Sequence, residues 1–207
     1  MLASELPVRL LLITDRHQAP QGALVATVQR ALGPNAAHVA VLLRDKDLPR
    51  AERLELARQL REATRTAGAR LLVHTDVELA RAVGADGVHV ADTEDARRLL
   101  DEADDDWILG ASCHGRASLR AAATAGAHYA TLSPILPSPG KAAPGHELGF
   151  DALEGPWPIP VLALGGLGPQ HYRTARAAGA WGIAGIRAFL TGDVAQAVRS
   201  CQETPSP

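Results

Sequence analysis

The sequence predicts one α/β domain over residues 1–207, folded as a closed (β/α)8 TIM barrel. Eight short stretches rich in Val, Leu and Ile recur along it, separated by loops and by segments of helical spacing. Continuously apolar strands that alternate with helices are typical of a parallel sheet covered on its outside. The length of 207 residues matches the smallest barrels of this class, roughly 200 residues. An open doubly wound sheet is the main alternative, but no Gly-x-Gly-x-x-Gly follows the first strand.

The eight predicted strands are the apolar stretches between turn-rich segments. They are Val8–Thr14, His38–Leu43, Arg70–His74, Gly87–Val90, Trp107–Ser112, His128–Ser133, Pro160–Leu164 and Trp181–Ile186. The clearest helix is Ala51–Ala67, because its Leu and Ala residues form an apolar stripe while Arg and Glu cover the other faces. The triplet Ala-Gly-Ala, or once Val-Gly-Ala, occurs just before four of the strands. Gly at such a point is expected to end a helix in a left-handed turn.

Composition excludes several classes of protein. The 21 Lys and Arg residues against 23 Asp and Glu residues lack the basic excess of a dedicated nucleic-acid binder. The two cysteines, Cys113 and Cys201, have neither disulfide-framework nor zinc-finger spacing, which favours a cytoplasmic protein. The apolar run Leu10–Ile13 is far shorter than the roughly 18 residues of a membrane span, so no membrane partner is expected. The tail 203–207 is predicted to fray.

Active sites of such barrels lie at the carboxyl ends of the strands, and polar residues follow most of the predicted strands here. Arg44 and Lys46, two positions apart, can point the same way and offer charge to a phosphate. Gly165-Gly166 and Gly185-Ile186-Arg187 follow the seventh and eighth strands, where barrels often hold phosphate on backbone N–H groups. The Pro-rich stretch from Pro134 to Gly149 is long for a barrel loop, so it is expected to be functional.

These segments resemble the thiamine phosphate synthases and their close relatives, the thiazole tautomerases. The resemblance runs from Leu11 to about Leu190. The segments that carry it are Leu12-Ile13-Thr14-Asp15, Arg44-Asp45-Lys46-Asp47-Leu48, Gly84-Ala85-Asp86-Gly87-Val88-His89, Ile108-Leu109-Gly110-Ala111-Ser112, Ser133 to Lys141, and Ala163-Leu164-Gly165-Gly166-Leu167. The family synthase joins hydroxymethylpyrimidine pyrophosphate to thiazole phosphate, releasing pyrophosphate and forming thiamine phosphate.

The resemblance implies a role for each matching residue. Arg44, Lys46 and Lys141 are implied to hold the leaving pyrophosphate as the catalytic cations. Ser112 is implied to contact the pyrimidine substrate. His74 is also expected to bind substrate, although the family has Asn at this position. The thiazole phosphate is implied to bind the remaining positions, Ser138, Pro139, Gly140, Gly166, Ile186 and Arg187. A homodimer is one assembly that the sequence leaves open.

The resemblance also implies Mg²⁺ as a cofactor, although the sequence departs from the family at its ligands. Glu94 stands at one ligand position, whereas Thr75 stands where the family has an aspartate. A neutral hydroxyl is a poor replacement for a carboxylate ligand of magnesium. Asp76 comes one residue later and is expected to cap the following helix instead.

Three functions therefore remain open. The first is thiamine phosphate synthesis, a transferase reaction. The second is thiazole tautomerisation, although Pro134 stands where that branch has its proton-transferring histidine, so that His17, His74, His114 or His146 would have to substitute. The third is a non-catalytic protein that binds a phosphorylated ligand.

Overall fold

The structure is a computed structural model that describes residues 6–91, 97–99, 101–138, 146–191 and 194. Eight parallel strands hydrogen-bond in chain order, and β8 pairs with β1, so that Leu10 lies opposite Ile183. The strands are β1 Leu10–Ile13, β2 Val39–Leu43, β3 Arg70–His74, β4 Gly87–Val90, β5 Ile108–Cys113, β6 Tyr129–Leu132, β7 Val161–Ala163 and β8 Gly182–Gly185. The predicted closed barrel is confirmed, and the pairing of β8 with β1 excludes the open sheet.

Helices connect the strands on the outside of the barrel. Within the described residues they are α1 Leu24–Leu32, α2 Arg50–Ala67, α3 Val77–Val83, α4 Arg116–Thr124, α5 Tyr172–Ala177 and α6 Arg187–Thr191, with short 3-10 helices at Arg16–Gln18, Phe150–Leu153 and Pro169–His171. The predicted long helix is α2, which begins one residue earlier than expected and ends at the left-handed Gly68 with φ 72°. None of the helices described is long and apolar enough to cross a membrane.

Side chains of the strands alternate between two hydrophobic cores. Leu11, Leu42 and Leu72 belong to the core that fills the barrel interior. Their strand neighbours Leu12 and Val41 belong to the second core, between the strands and the helices. Because successive side chains of a strand point to opposite faces, the inward positions near the end of each strand determine what faces the opening of the barrel.

At the amino-terminal end of the barrel, the Trp181 side chain connects the segments that precede β1 and β8. The Arg9 guanidinium lies 3.5 Å from the centre of the Trp181 ring, and its Nη1 donates to the Trp181 carbonyl at 3.2 Å. The indole Nε1 of Trp181 donates to the Val8 carbonyl at 3.0 Å. These contacts join the segments leading into β1 and β8.

We expect Gly182→Ala to destabilise the barrel at this closure. A Cβ at Gly182 would collide with the backbone carbonyl of Arg9, which cannot move without disturbing the pairing of β8 with β1. The cost should reach about 3 kcal/mol or more, the upper range for overpacking in a protein core. Chemical denaturation measures it. Gly115→Ala is the matched control, because its φ is extended and nothing lies within 4 Å of the added Cβ. Equal stability of the two variants would contradict the prediction.

Candidate active site

The described residues implied to bind substrate lie together at one end of the barrel. All strands are parallel, so residues that follow them share the carboxyl-terminal end, here called the barrel rim. The residues at the rim are Arg44 and Lys46 after β2, His74 at the end of β3 and Thr75 after it, Ser112 as the penultimate residue of β5, Ser138 after β6, Gly166 after β7, and Ile186 and Arg187 after β8. Pro139, Gly140, Lys141, Glu94 and the tail 203–207 lie outside the described residues.

The rim carries concentrated positive charge where β2 and β3 end. Burial is the first reason that the pKa of His74 falls to about 4, and the charges of Lys46, Arg44 and Arg53 lower it further. Arg53 also donates from Nη2 to the His74 carbonyl at 3.1 Å. Arg53 is itself paired with Asp76 at 3.0 Å, so the positive charge beside His74 comes mainly from Arg44 and Lys46. This region can attract a pyrophosphate group.

The segment after β2 is anchored by an aspartate that the sequence did not single out. Asp45 is 4% exposed, and its carboxylate accepts from the Thr14 hydroxyl at 2.5 Å and from the Arg16 amide at 2.7 Å. The Arg44 amide in turn donates to the Thr14 hydroxyl at 3.0 Å. Asp45 therefore fixes this segment to the end of β1, while its neighbours Arg44 and Lys46 stay accessible. The alternating charges of Arg44, Asp45 and Lys46 were the signal in the sequence that could have pointed to this role of Asp45.

A buried hydrogen-bond network links three strands below the rim. The hydroxyl of Tyr129 on β6 lies 2.9 Å from Nδ1 of His89 on β4, and His89 Nε2 lies 3.0 Å from Oγ of Ser112 on β5. His89 is 2% exposed, and burial with the nearby His74 lowers its pKa to about 3. Burial raises the pKa of Tyr129. His89 is thus a hydrogen-bonded wall residue of the barrel.

The glycines after β7 allow a close approach of the segment that follows β6. Gly165 and Gly166 have φ of 99° and 67°, which favour glycine. A Cβ at Gly166 would lie 2.5 Å from the Pro137 carbonyl oxygen, and the Leu136 amide donates to the Gly165 carbonyl at 3.0 Å. The two segments implied to hold the thiazole phosphate are therefore packed together. After β8, Arg187 Nε donates to Gln18 Oε1 at 2.7 Å.

The described residues do not build the expected magnesium site. Thr75 has a left-handed φ of 54°, and its hydroxyl lies 2.9 Å from His74 Nδ1. Asp76 caps α3, as predicted, by accepting from the Leu79 amide at 2.9 Å, and its other oxygen pairs with Arg53 at 3.0 Å. Among the residues described, no group of three or more His, Cys, Asp or Glu side chains is placed to hold a metal. The carboxylate one residue after Thr75 is thus committed to a structural role.

The buried histidines predict a loss of stability in mild acid. His74 and His89 have pKa values of about 4 and about 3 in the folded protein, against 6.5 for a free histidine. Below pH 6.5 the unfolded chain therefore binds more protons than the folded protein, and the free energy of unfolding falls as the pH drops towards 4. Each histidine should contribute about 1 kcal/mol per pH unit in that window.

Urea denaturation between pH 7 and pH 4 measures this slope. We expect His74→Gln to make the pH dependence shallower, because one of the histidines that must be buried neutral is gone. His146→Gln is the control, since His146 is exposed. An unchanged slope in His74→Gln would show that His74 is protonated as readily in the folded protein as in the unfolded chain.

Comparison with known proteins agrees with this geometry. The family model described as thiamine monophosphate synthase (TMP-TENI) matches residues 10–189. A Geobacter sulfurreducens protein named "Putative thiamine-phosphate synthase" is 44% identical over 188 residues, covering 87% of this chain and 86% of that protein. Thiamine-phosphate synthase from Moorella thermoacetica is 36% identical over 173 residues, covering 79% and 80% of the two chains.

A solved structure supports the same relationship. Thiamine phosphate pyrophosphorylase from Pyrococcus furiosus superposes with a TM-score of 0.77 at 28% identity, covering 96% of this chain and 95% of that one. The family match spans nearly the whole barrel, from the first residue of β1 to within α6. The family resemblance read from the sequence is confirmed. The chain belongs to the thiamine monophosphate synthase family, a family of transferases of thiamine biosynthesis.

Proposed function

We propose that this chain is a thiamine-phosphate synthase, which joins hydroxymethylpyrimidine pyrophosphate to thiazole phosphate. Its membership of the family and its similarity to the Moorella enzyme support this activity. The single observation that carries the proposal is the positive region where β2 and β3 end, in which Lys46, Arg44 and Arg53 all depress the pKa of His74. A pyrophosphate leaving group requires such a region, because negative charge builds on its oxygens as it departs.

The proposed reaction breaks one C–O bond and forms one C–N bond. Pyrophosphate leaves with the electron pair of the C–O bond, so the methylene carbon of the pyrimidine becomes cationic. The thiazole nitrogen then donates its lone pair to that carbon. Catalysis is mostly electrostatic stabilisation and positioning, and no strong general base is needed.

Each part of the rim has a role in this proposal. Arg44, Lys46 and Lys141 stabilise the charge on the departing pyrophosphate. Ser112, half-buried near the end of β5, orients the pyrimidine ring. In this proposal His74, at the end of β3, is a neutral neighbour of that ring. The thiazole phosphate is held between the segments after β6, β7 and β8, which include Ser138, Pro139, Gly140, Gly166, Ile186 and Arg187.

Magnesium enters this proposal only through the family resemblance. By that resemblance Glu94 would be one protein ligand. Thr75, at the other ligand position, offers only a hydroxyl, which already contacts His74. In this proposal the cations of the rim meet the charge of the leaving group. A dependence of turnover on Mg²⁺ is a separate measurement on the same assay.

A second candidate function, thiazole tautomerisation, is favoured by the position of His114. Its Nδ1 lies 2.9 Å from the Ser133 carbonyl oxygen, directly before Pro134, where the tautomerase branch has its histidine. Since a carbonyl oxygen only accepts, Nδ1 carries the proton and Nε2 of a neutral ring is free to take another. His114 could therefore supply the proton transfer that Pro134 cannot.

We expect Lys141→Ala and Arg44→Ala each to lower turnover to thiamine phosphate by about a hundredfold or more, the scale for losing one preorganised electrostatic contact. Lys141→Arg should recover only part of the rate, because a planar guanidinium places its charge differently from a compact ammonium. Arg58→Ala is the matched control, since its side chain is 61% exposed on α2 and lies on the outer helical layer. Near-parental rates for both alanine variants would contradict the proposed pyrophosphate site.

The assay also separates the candidate functions. A parent protein that forms thiamine phosphate from both substrates is a synthase. A parent that forms none but exchanges ring hydrogen of the thiazole phosphate with D₂O, and loses this exchange in His114→Gln, is a tautomerase. A parent that does neither but binds thiazole phosphate corresponds to the non-catalytic alternative.

A further inference from the structure

The Tyr129–His89–Ser112 network depends on the register of three neighbouring strands. His89 lies opposite Gly110, and Gly110 lies opposite Tyr129, so a glycine separates the two side chains in one row across β4, β5 and β6. A Cβ at Gly110 would collide with the Tyr129 ring and approach His89 Nδ1 to 2.5 Å. The two rings meet over this glycine, with centroids 5.5 Å apart. Ser112 follows Gly110 by two residues and thus points the same way.

Burial determines the direction of the first hydrogen bond. Tyr129 is fully buried, and among the described residues its hydroxyl has His89 Nδ1 as its hydrogen-bond partner. The hydroxyl stays protonated, because burial raises its pKa. If Tyr129 accepted from His89, its own proton would be unpaired in the core, and burying an unsatisfied donor is unfavourable. Tyr129 therefore donates to Nδ1.

The second hydrogen bond follows from the first. His89 is neutral, because burial and the neighbouring His74 lower its pKa. A neutral imidazole with an accepting Nδ1 carries its proton on Nε2. Nε2–H then donates to Ser112 Oγ at 3.0 Å. Ser112 receives a hydrogen bond from the barrel interior. Within the described part of the chain His89 is its hydrogen-bond partner, so its own proton can serve a group in the opening of the barrel, to which it is half-exposed.

We propose that Tyr129 and His89 are positioning residues that orient the Ser112 hydroxyl so that its proton is directed away from His89 and donates to the pyrimidine substrate. This inference rests on the proposed synthase function. It selects a pyrimidine that presents an unprotonated ring nitrogen to Ser112, since such a nitrogen accepts.

The tautomer of His89 tests the inference without any turnover. In protein labelled with ¹⁵N in histidine, the ring nitrogens of His89 are identified by their absence from the His89→Gln spectrum. We expect the proton on Nε2, with Nδ1 bare, in the parent protein. In Tyr129→Phe the preference for that tautomer should be lost. A proton on Nδ1 in the parent would overturn the inference, whatever the protein catalyses.

Binding of hydroxymethylpyrimidine pyrophosphate alone, by calorimetry, tests the link to substrate. Ser112→Ala should raise the dissociation constant roughly three- to tenfold, the range for one neutral hydrogen bond. Tyr129→Phe should also weaken binding, and the double variant should bind no worse than Ser112→Ala, because Tyr129 acts through Ser112. Tyr172→Phe, the other buried tyrosine of the sequence, is the control and should bind as the parent does.

The outcomes separate this inference from the proposed function. Additive losses in the double variant, with normal turnover by the parent, would overturn the inference and leave the synthase function in place. A parent that binds no pyrimidine pyrophosphate would overturn the synthase function and the substrate part of the inference together. An analogue in which the contacted ring nitrogen is replaced by C–H should bind the parent more weakly but Ser112→Ala unchanged. Equal weakening of both proteins would overturn the inference.

Discussion

Closure of eight parallel strands is the constraint on which every part of the site depends. It places the ends of all strands at the same rim, and the pairing of β8 with β1 fixes the register around the ring. Side chains alternate in and out along each strand, so an inward Leu42 is followed by an inward Arg44, and an inward Leu72 by an inward His74. A slip of one residue in any strand would exchange its inward and outward side chains, and in β3 it would turn His74 away from the barrel opening.

Three polar side chains within the barrel satisfy one another. Tyr129, His89 and Ser112 form a connected set, and a fully satisfied buried network avoids the cost of an unpaired polar group. Near the rim, Asp45 is buried but accepts two hydrogen bonds from the segment after β1. The cations Arg44 and Lys46 remain at the surface, where water and an incoming anion can reach them. Burial first, and then the charges of these cations, lower the pKa of His74 to about 4, so that His74 is neutral at neutral pH.

Asp76 caps a helix one residue after the position, Thr75, at which the family resemblance implies a metal ligand. The family places an aspartate where this chain has Thr75, and the chain has its aspartate at position 76. That shift takes the carboxylate to the start of α3, where it accepts from the Leu79 amide and pairs with Arg53. Arg53 in turn contributes to the positive region beside His74. Asp76 therefore links the start of α3 to Arg53, one of the cations near His74.

The sequence by itself determined the barrel, its eight strands, the long helix α2, the Asp76 cap and the family, because periodicity, glycine turns and short motifs are local signals. The observed β3 and β4 have the predicted bounds and β5 is shifted by one residue, whereas the other five strands are shorter by one to three residues, as in β7.

Only the tertiary structure decided how distant residues meet. His89, Gly110 and Tyr129 come from three strands, and their row exists only once the register of those strands is set. The anchoring of Asp45 by Thr14 and the packing of Gly166 against Pro137 likewise join segments far apart in sequence. Such contacts leave no periodic trace in the sequence, because they depend on which residues the closed ladder of hydrogen bonds places opposite one another.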